Sequence, residues 1–157
     1  PFYLNMARLI TNLRLNRIQK STEVELVAVS NFDGQSKFKI DTEHSYLSKG
    51  GKIDNEGTPI KTIKLDSLNF YNSNKKVRGI KIDTEGEDLN VLLGAQNLIK
   101  TYKPKIIIEV RNENKLKIQE IFYKFNYKLF DISNMQNNIN LNDLNIKNVM
   151  NVFAKPL

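Results

Sequence analysis

Between Val77 and Val110 the chain carries a hydrophobic pattern that few folds accept. Val77–Ile82 is an apolar, largely β-branched run that stops abruptly on Asp83-Thr84-Glu85-Gly86. A helical pattern begins directly behind it, from Glu87 to Lys100, with Leu89, Leu92, Leu93 and Ile99 largely on one face. Lys105–Val110 then places four β-branched residues in six positions, the mark of a strand buried on both faces. Asn114–Phe125 follows as a second helix, with Leu116, Ile118, Ile121, Phe122 and Phe125 on its apolar face, and Tyr127–Ile132 as a further strand. Strands alternating with helices predict an α/β fold with a doubly wound, mostly parallel sheet. Right-handed crossovers would put helices on both of its faces.

The flanks fit this scheme less closely. Phe2, Met6, Leu9, Ile10 and Leu13 recur at helical intervals and predict an amphipathic opening helix. Glu23–Val29 reads as a buried strand, Ser30–Gly34 as a turn, and Gln35–Ile40 as an exposed strand. Residues 41–58 hold polar residues with Gly50, Gly51 and Gly57, and are expected to be a functional loop, such as a lid, or disordered. Pro59–Leu65 resumes as a strand, and Asp66 is placed to cap a short helix over Ser67–Tyr71. Gly94 predicts a kink or break in its helix. Tyr102-Lys103-Pro104 ends that helix, and Asn148–Ala154 closes the chain as a last strand. No repeat or linker divides residues 1–157, which read as a single domain.

Composition narrows the function classes. At 157 residues, 40% hydrophobic and 26% charged, the chain has the material for one real core. No apolar run approaches the length of a membrane span. With no cysteine there is neither a disulfide framework nor a thiolate site, which fits a reducing compartment such as the cytoplasm. The formal charge of +7 raises the question of nucleic acid. Yet the lysines are scattered along the chain, with Lys75-Lys76 the adjacent pair, so no nucleic-acid partner is expected.

Four segments in order carry a resemblance. They are Lys61-Thr62-Ile63-Lys64-Leu65-Asp66-Ser67-Leu68, Ile80-Lys81-Ile82-Asp83-Thr84-Glu85-Gly86, Val91-Leu92-Leu93-Gly94-Ala95 and Lys103-Pro104-Lys105-Ile106-Ile107-Ile108-Glu109. The succession resembles the FkbM family of class I, S-adenosylmethionine-dependent methyltransferases. Pro1 is similar to the proline of the family's "FEP" motif, and Leu9–Asn16 to the helix after it. The resemblance implies a Rossmann-like sheet of order 3-2-1-4-5-7-6 with an antiparallel final strand. It also implies that residues 1–157 lack the first two strands, the glycine-rich turn and the ribose-binding glutamate. The chain alone is then expected to bind the cofactor weakly or not at all. Val24–Val29 and Val77–Asp83 are expected to lie apart, separated by a gap or an exposed edge.

The same resemblance implies site residues. Ligands of open α/β sheets sit beyond the carboxyl ends of the strands, and there Asp83 would meet the cofactor's methyl end and the acceptor. Glu85 would orient the acceptor hydroxyl, and Glu109 ends the neighbouring strand. Val27 and Ala28 would line the adenine pocket. Each has an ordinary reading beside it. Asp83 or Thr84 would cap the following helix, Glu109 would pair with Arg111 or a lysine, and Val27 and Ala28 would be core. His44, the single histidine, is a candidate base or a solvated loop residue. The carboxylates are not joined by a His or Cys cluster, so no metal is expected. The expected reaction is methyl transfer to a hydroxyl of a sugar, glycan or other polar small molecule. A non-catalytic interaction module and a basic nucleic-acid binder are the alternatives.

Overall fold

The computed structural model describes residues 3–40, 51–68 and 76–157. Helix α1 spans Tyr3–Leu15, and strands β1 (Ala28–Val29), β2 (Gly34–Ile40), β3 (Gly51–Asp54) and β4 (Thr58–Ile63) follow. Then come β5 (Gly79–Ile82), α2 (Asp88–Leu93), α3 (Gln96–Tyr102), β6 (Lys105–Arg111) and α4 (Lys115–Lys124). The chain closes with β7 (Tyr127–Asp131), β8 (Asn134–Asn138) and β9 (Val149–Pro156).

The fold is α/β, but the strands form two sheets instead of one doubly wound sheet. The larger has the order β5-β6-β9-β7-β8, with β5 and β6 parallel and β9 antiparallel to both β6 and β7. Its first four places follow the 4-5-7-6 part of the expected order, including the antiparallel strand. The smaller has the order β1-β4-β2-β3, with β1 parallel to β4 and the rest antiparallel. As expected, β1 and β5 are not neighbours, and among the described residues β5 is an edge strand bonded to β6 alone.

Helices back one face of the larger sheet. Ile82, Ile106, Ile108, Val110, Leu129, Val152 and Ala154 share a core with Val91, Leu92 and Ile99 of α2–α3 and Ile118, Ile121 and Phe122 of α4. The reason is topological. The crossovers β5→β6 and β6→β7 both advance in the same direction along the sheet, so equal handedness puts both on one side. The opposite face presents Lys105, Ile107, Glu109 and Arg111 of β6, none of them fully buried.

Several expectations change for local reasons. Only Ala28–Val29 of the predicted Glu23–Val29 strand is paired, because β4 runs alongside those two residues alone. The opening helix forms, yet buries no side chain, and Tyr3 and Leu15 remain 65% and 76% exposed. Leu116, expected on the apolar face of α4, is exposed because α4 turns Ile118, Ile121 and Phe122 inward instead. Residues 51–58 of the predicted loop form β3 and a tight turn into β4. There the Asp54 carboxylate accepts from the amides of Asn55 and Glu56 at 2.7 and 3.4 Å. Gly57 sits at φ +123, with a Cβ there only 2.3 Å from the Phe38 carbonyl oxygen. Residues 41–50, including His44, lie outside the described residues.

The segment after β4 departs in an informative way. One 3-10 turn covers Leu65–Ser67, and residues 69–71 of the predicted helix lie outside the described residues. Asp66 does not cap its own turn. Its carboxylate accepts from the amides of Asn97 and Leu98 at 3.0 and 2.8 Å, which caps α3 from thirty residues upstream in sequence. The predicted break at Gly94 is real: α2 ends at Leu93 and α3 begins at Gln96. Gly94 has an ordinary φ of −78, so its role is space. A Cβ there would lie 2.2 Å from the Ser30 carbonyl oxygen, where the end of β1 rests on the helix junction.

Candidate active site

The run that ends β5 lies beside the later half of β6. Ile82 is level with Ile108, so Asp83 and Glu109 are the next level pair and lie on the same face of the sheet. Of the two carboxylates expected at strand ends, Asp83 directly follows β5, but Glu109 lies inside β6, which continues to Arg111 because β9 pairs with it that far. Asp83 is exposed and accepts from the Lys81 ammonium at 2.6 Å. Glu109 is mostly covered, its side chain 15% exposed, and takes an ion pair from Arg111 Nη2 at 3.2 Å. That pairing was among the readings of Glu109 from sequence. The same guanidinium lies 3.7 Å from Glu85, so Arg111 gathers two of the three candidate carboxylates.

A turn holds Glu85 in this position. Its φ of +52 is in the left-handed region that a non-glycine side chain seldom occupies, and Gly86 follows at φ +104. Asp88, 1% exposed, braces the turn by accepting from the amides of Thr84 and Gly86, both at 3.2 Å. Capping by Asp83 or Thr84 is thus overturned. The N-cap position of α2 is Glu87, with no side-chain cap, because the left-handed turn separates the strand end from the helix. Backbone bonds to both oxygens let the Asp88 carboxylate stay buried.

Two residues of this region, Ser30 and Asp33, were not singled out from sequence. Glu87 accepts from the Ser30 hydroxyl at 2.9 Å and from the Asn90 amide at 3.0 Å, tying β1 to α2. Ser30 is 1% exposed. No local pattern announces this, since the partners are 57 residues apart. Nearby, Asp33 accepts from the Lys64 amide at 3.0 Å and the Ser67 hydroxyl at 2.7 Å. These bonds, the amide first, hold its carboxyl below the ordinary value of 3.8.

Ala28 is buried and Val27 half-buried, both next to or within the smaller sheet, as core packing requires. The carboxylate-rich end suits the sulfonium and ammonium charges of S-adenosylmethionine in sign, and among the described residues Thr84 Oγ1 and Arg111 Nε are buried there without a hydrogen-bond partner. For the adenine, Ala28 offers no open wall. Among the described residues no group of three His, Cys, Asp or Glu side chains could hold a metal ion. No described helix is long and apolar enough to cross a membrane.

Carboxylates paired with Lys81 and Arg111 beyond and beside β5 of an α/β sheet stand where such sheets bind ligands. Residues 1–144 match the methyltransferase FkbM domain, and the chain belongs to that family. No curated protein and no solved structure matches it.

Proposed function

We propose that this chain supplies the acceptor-side carboxylates of an S-adenosylmethionine-dependent methyltransferase acting on a hydroxyl of a sugar or other polar small molecule. The observation that carries this reading is Asp83, directly behind β5, next to Glu109 of the parallel strand β6, which Arg111 links to Glu85. The cofactor would supply an electrophilic methyl group. Asp83 is exposed and accepts the proton of the acceptor hydroxyl, while Lys81 holds the carboxylate in place. Glu85 and Glu109, fixed by one guanidinium, orient the acceptor, and positioning of this kind supplies much of the rate.

Calorimetry with S-adenosylhomocysteine on the full reading frame and on residues 1–157 tests the binding half. Binding by the full protein supports the reading, and its absence there removes it. Asp83→Asn should lower kcat roughly a hundredfold to ten-thousandfold with KM for the cofactor little changed. An unaltered kcat would take Asp83 out of the mechanism. A second reading, a non-catalytic module of the same family, is favoured by the burial of Ala28. It predicts no binding of S-adenosylhomocysteine by the full reading frame.

A further inference from the structure

Lysines that are scattered in sequence meet in the larger sheet. Lys128 of β7 and Lys155 of β9 are directly opposed across the ladder. Lys105 stands one step before the Ile106–Ala154 pair, which sets it level with Lys155. The three form a row across adjacent strands, on the face turned away from the helices, since their neighbours Leu129, Ala154 and Ile106 point into the core. All three are exposed, and among the described residues none has an ion-pair partner. With a strand spacing of about 4.8 Å the row is roughly 10 Å long. Like charges placed directly opposite one another destabilise a sheet, so an unrelieved row of this kind calls for an explanation.

A concavity beside the row supplies one. It is lined by Lys128, Lys155, Phe130 and the amide-bearing residues Gln136, Asn137 and Asn138, together with the Pro156-Leu157 end, and no Asp or Glu is among them. Phe130 is steadied by Phe153, at 6.3 Å between ring centroids. The set combines cations for a concentrated negative charge, amides for hydroxyl or carbonyl groups, and a ring for the flat body of a ligand. We propose that this bowl binds a small phosphate-bearing ligand, its phosphate or diphosphate on Lys128 and Lys155 and its ring against Phe130. A nucleic-acid strand is disfavoured because the cations form one short row and do not track an extended backbone. The site is also separate from the carboxylates. From Lys105 to Glu109 along β6 is four residues, about 13 Å, so this inference does not depend on the methyl-transfer reading.

Titration calorimetry of the full chain with inorganic pyrophosphate and with uridine diphosphate tests it. Saturable binding at one site per chain is expected, tighter for the nucleotide, and weakened by added salt. Lys128→Gln and Lys155→Gln should each weaken it roughly tenfold or more, as the loss of a charge-assisted hydrogen bond implies. The double Lys→Arg variant should retain binding, which separates a lost contact from a lost fold. Heats that do not saturate, or binding unchanged in the double Lys→Gln variant, would overturn the proposal. So would binding of a single-stranded oligonucleotide by a chain that ignores pyrophosphate.

Discussion

The two sheets differ in what holds them. The larger sheet, with α2, α3 and α4, contains a continuous core from Ile82 to Ala154, in which Leu92, Ile106, Ile108, Phe122 and Val152 are fully buried. The smaller sheet buries Ala28, Phe38 and Ile63, and α1 buries nothing. The family match covers all of the smaller sheet and the larger one except β9, so family membership does not explain the contrast. Burial does. Alternation along β6 sends Ile106, Ile108 and Val110 into a helix-backed layer, whereas β2 has one buried residue in seven. The smaller sheet is joined to the larger by a few specific contacts: Ser30 on Glu87, the close approach at Gly94, and Asp66 on α3. Stability is therefore expected to reside in residues 79–157, with the first half following it.

The sharpest way to break that contrast is Phe122→Ala. Loss of a fully buried ring should cost about 3–5 kcal/mol and unfold both sheets together in a denaturant titration. A loss confined to one sheet would contradict the ranking. Gly94→Ala attacks the joint itself, and the clash with the Ser30 carbonyl should cost about 1–3 kcal/mol. Hydrogen exchange should then quicken at Ser30 and β1 before it does at β6. Asp66→Ala removes the long-range cap of α3 and should cost about 1 kcal/mol, read as faster exchange at the Asn97 and Leu98 amides.

A pH series refines the same boundary. The Asp33 carboxyl lies below its ordinary value of 3.8 in the folded protein, through the Lys64 amide and the Ser67 hydroxyl. Its contribution is therefore present above pH 3.8 and is lost as pH falls through the lower folded value. Asp33→Asn should lower the denaturation midpoint at neutral pH and cease to matter at strongly acid pH. Smallest of all is Leu9→Ala. On an α1 without buried residues it should change stability by less than about 0.5 kcal/mol, and a larger loss would mean that the helix has a packing partner.

Legibility followed the range of the interactions. The strands Lys105–Arg111 and Tyr127–Asp131 and helix α4 could be read to within two residues, because periodicity and burial agree there. The expected strand 23–29 shrank to a pair because a strand exists only where a neighbour supplies hydrogen bonds. In the site, Asp83 was readable as the carboxylate behind β5 and Glu85 as its neighbour in the turn, whereas Glu109, expected to end its strand, lies inside β6. Their link through Arg111, the brace from Asp88 and the tie from Ser30 to Glu87 were not, since each depends on where a turn points a side chain.

Taken alone, the order of residues determined the class of fold, the carboxylate behind β5, the break at Gly94 and the family, because these rest on local periodicity and short motifs. Tertiary structure decided the rest: two sheets in place of one, a single helix-backed face, the reach of Asp66 to α3, and a row assembled from Lys105, Lys128 and Lys155. The physical reason is that strand pairing couples residues distant in sequence. Neighbours across a ladder leave no trace in the spacing along the chain.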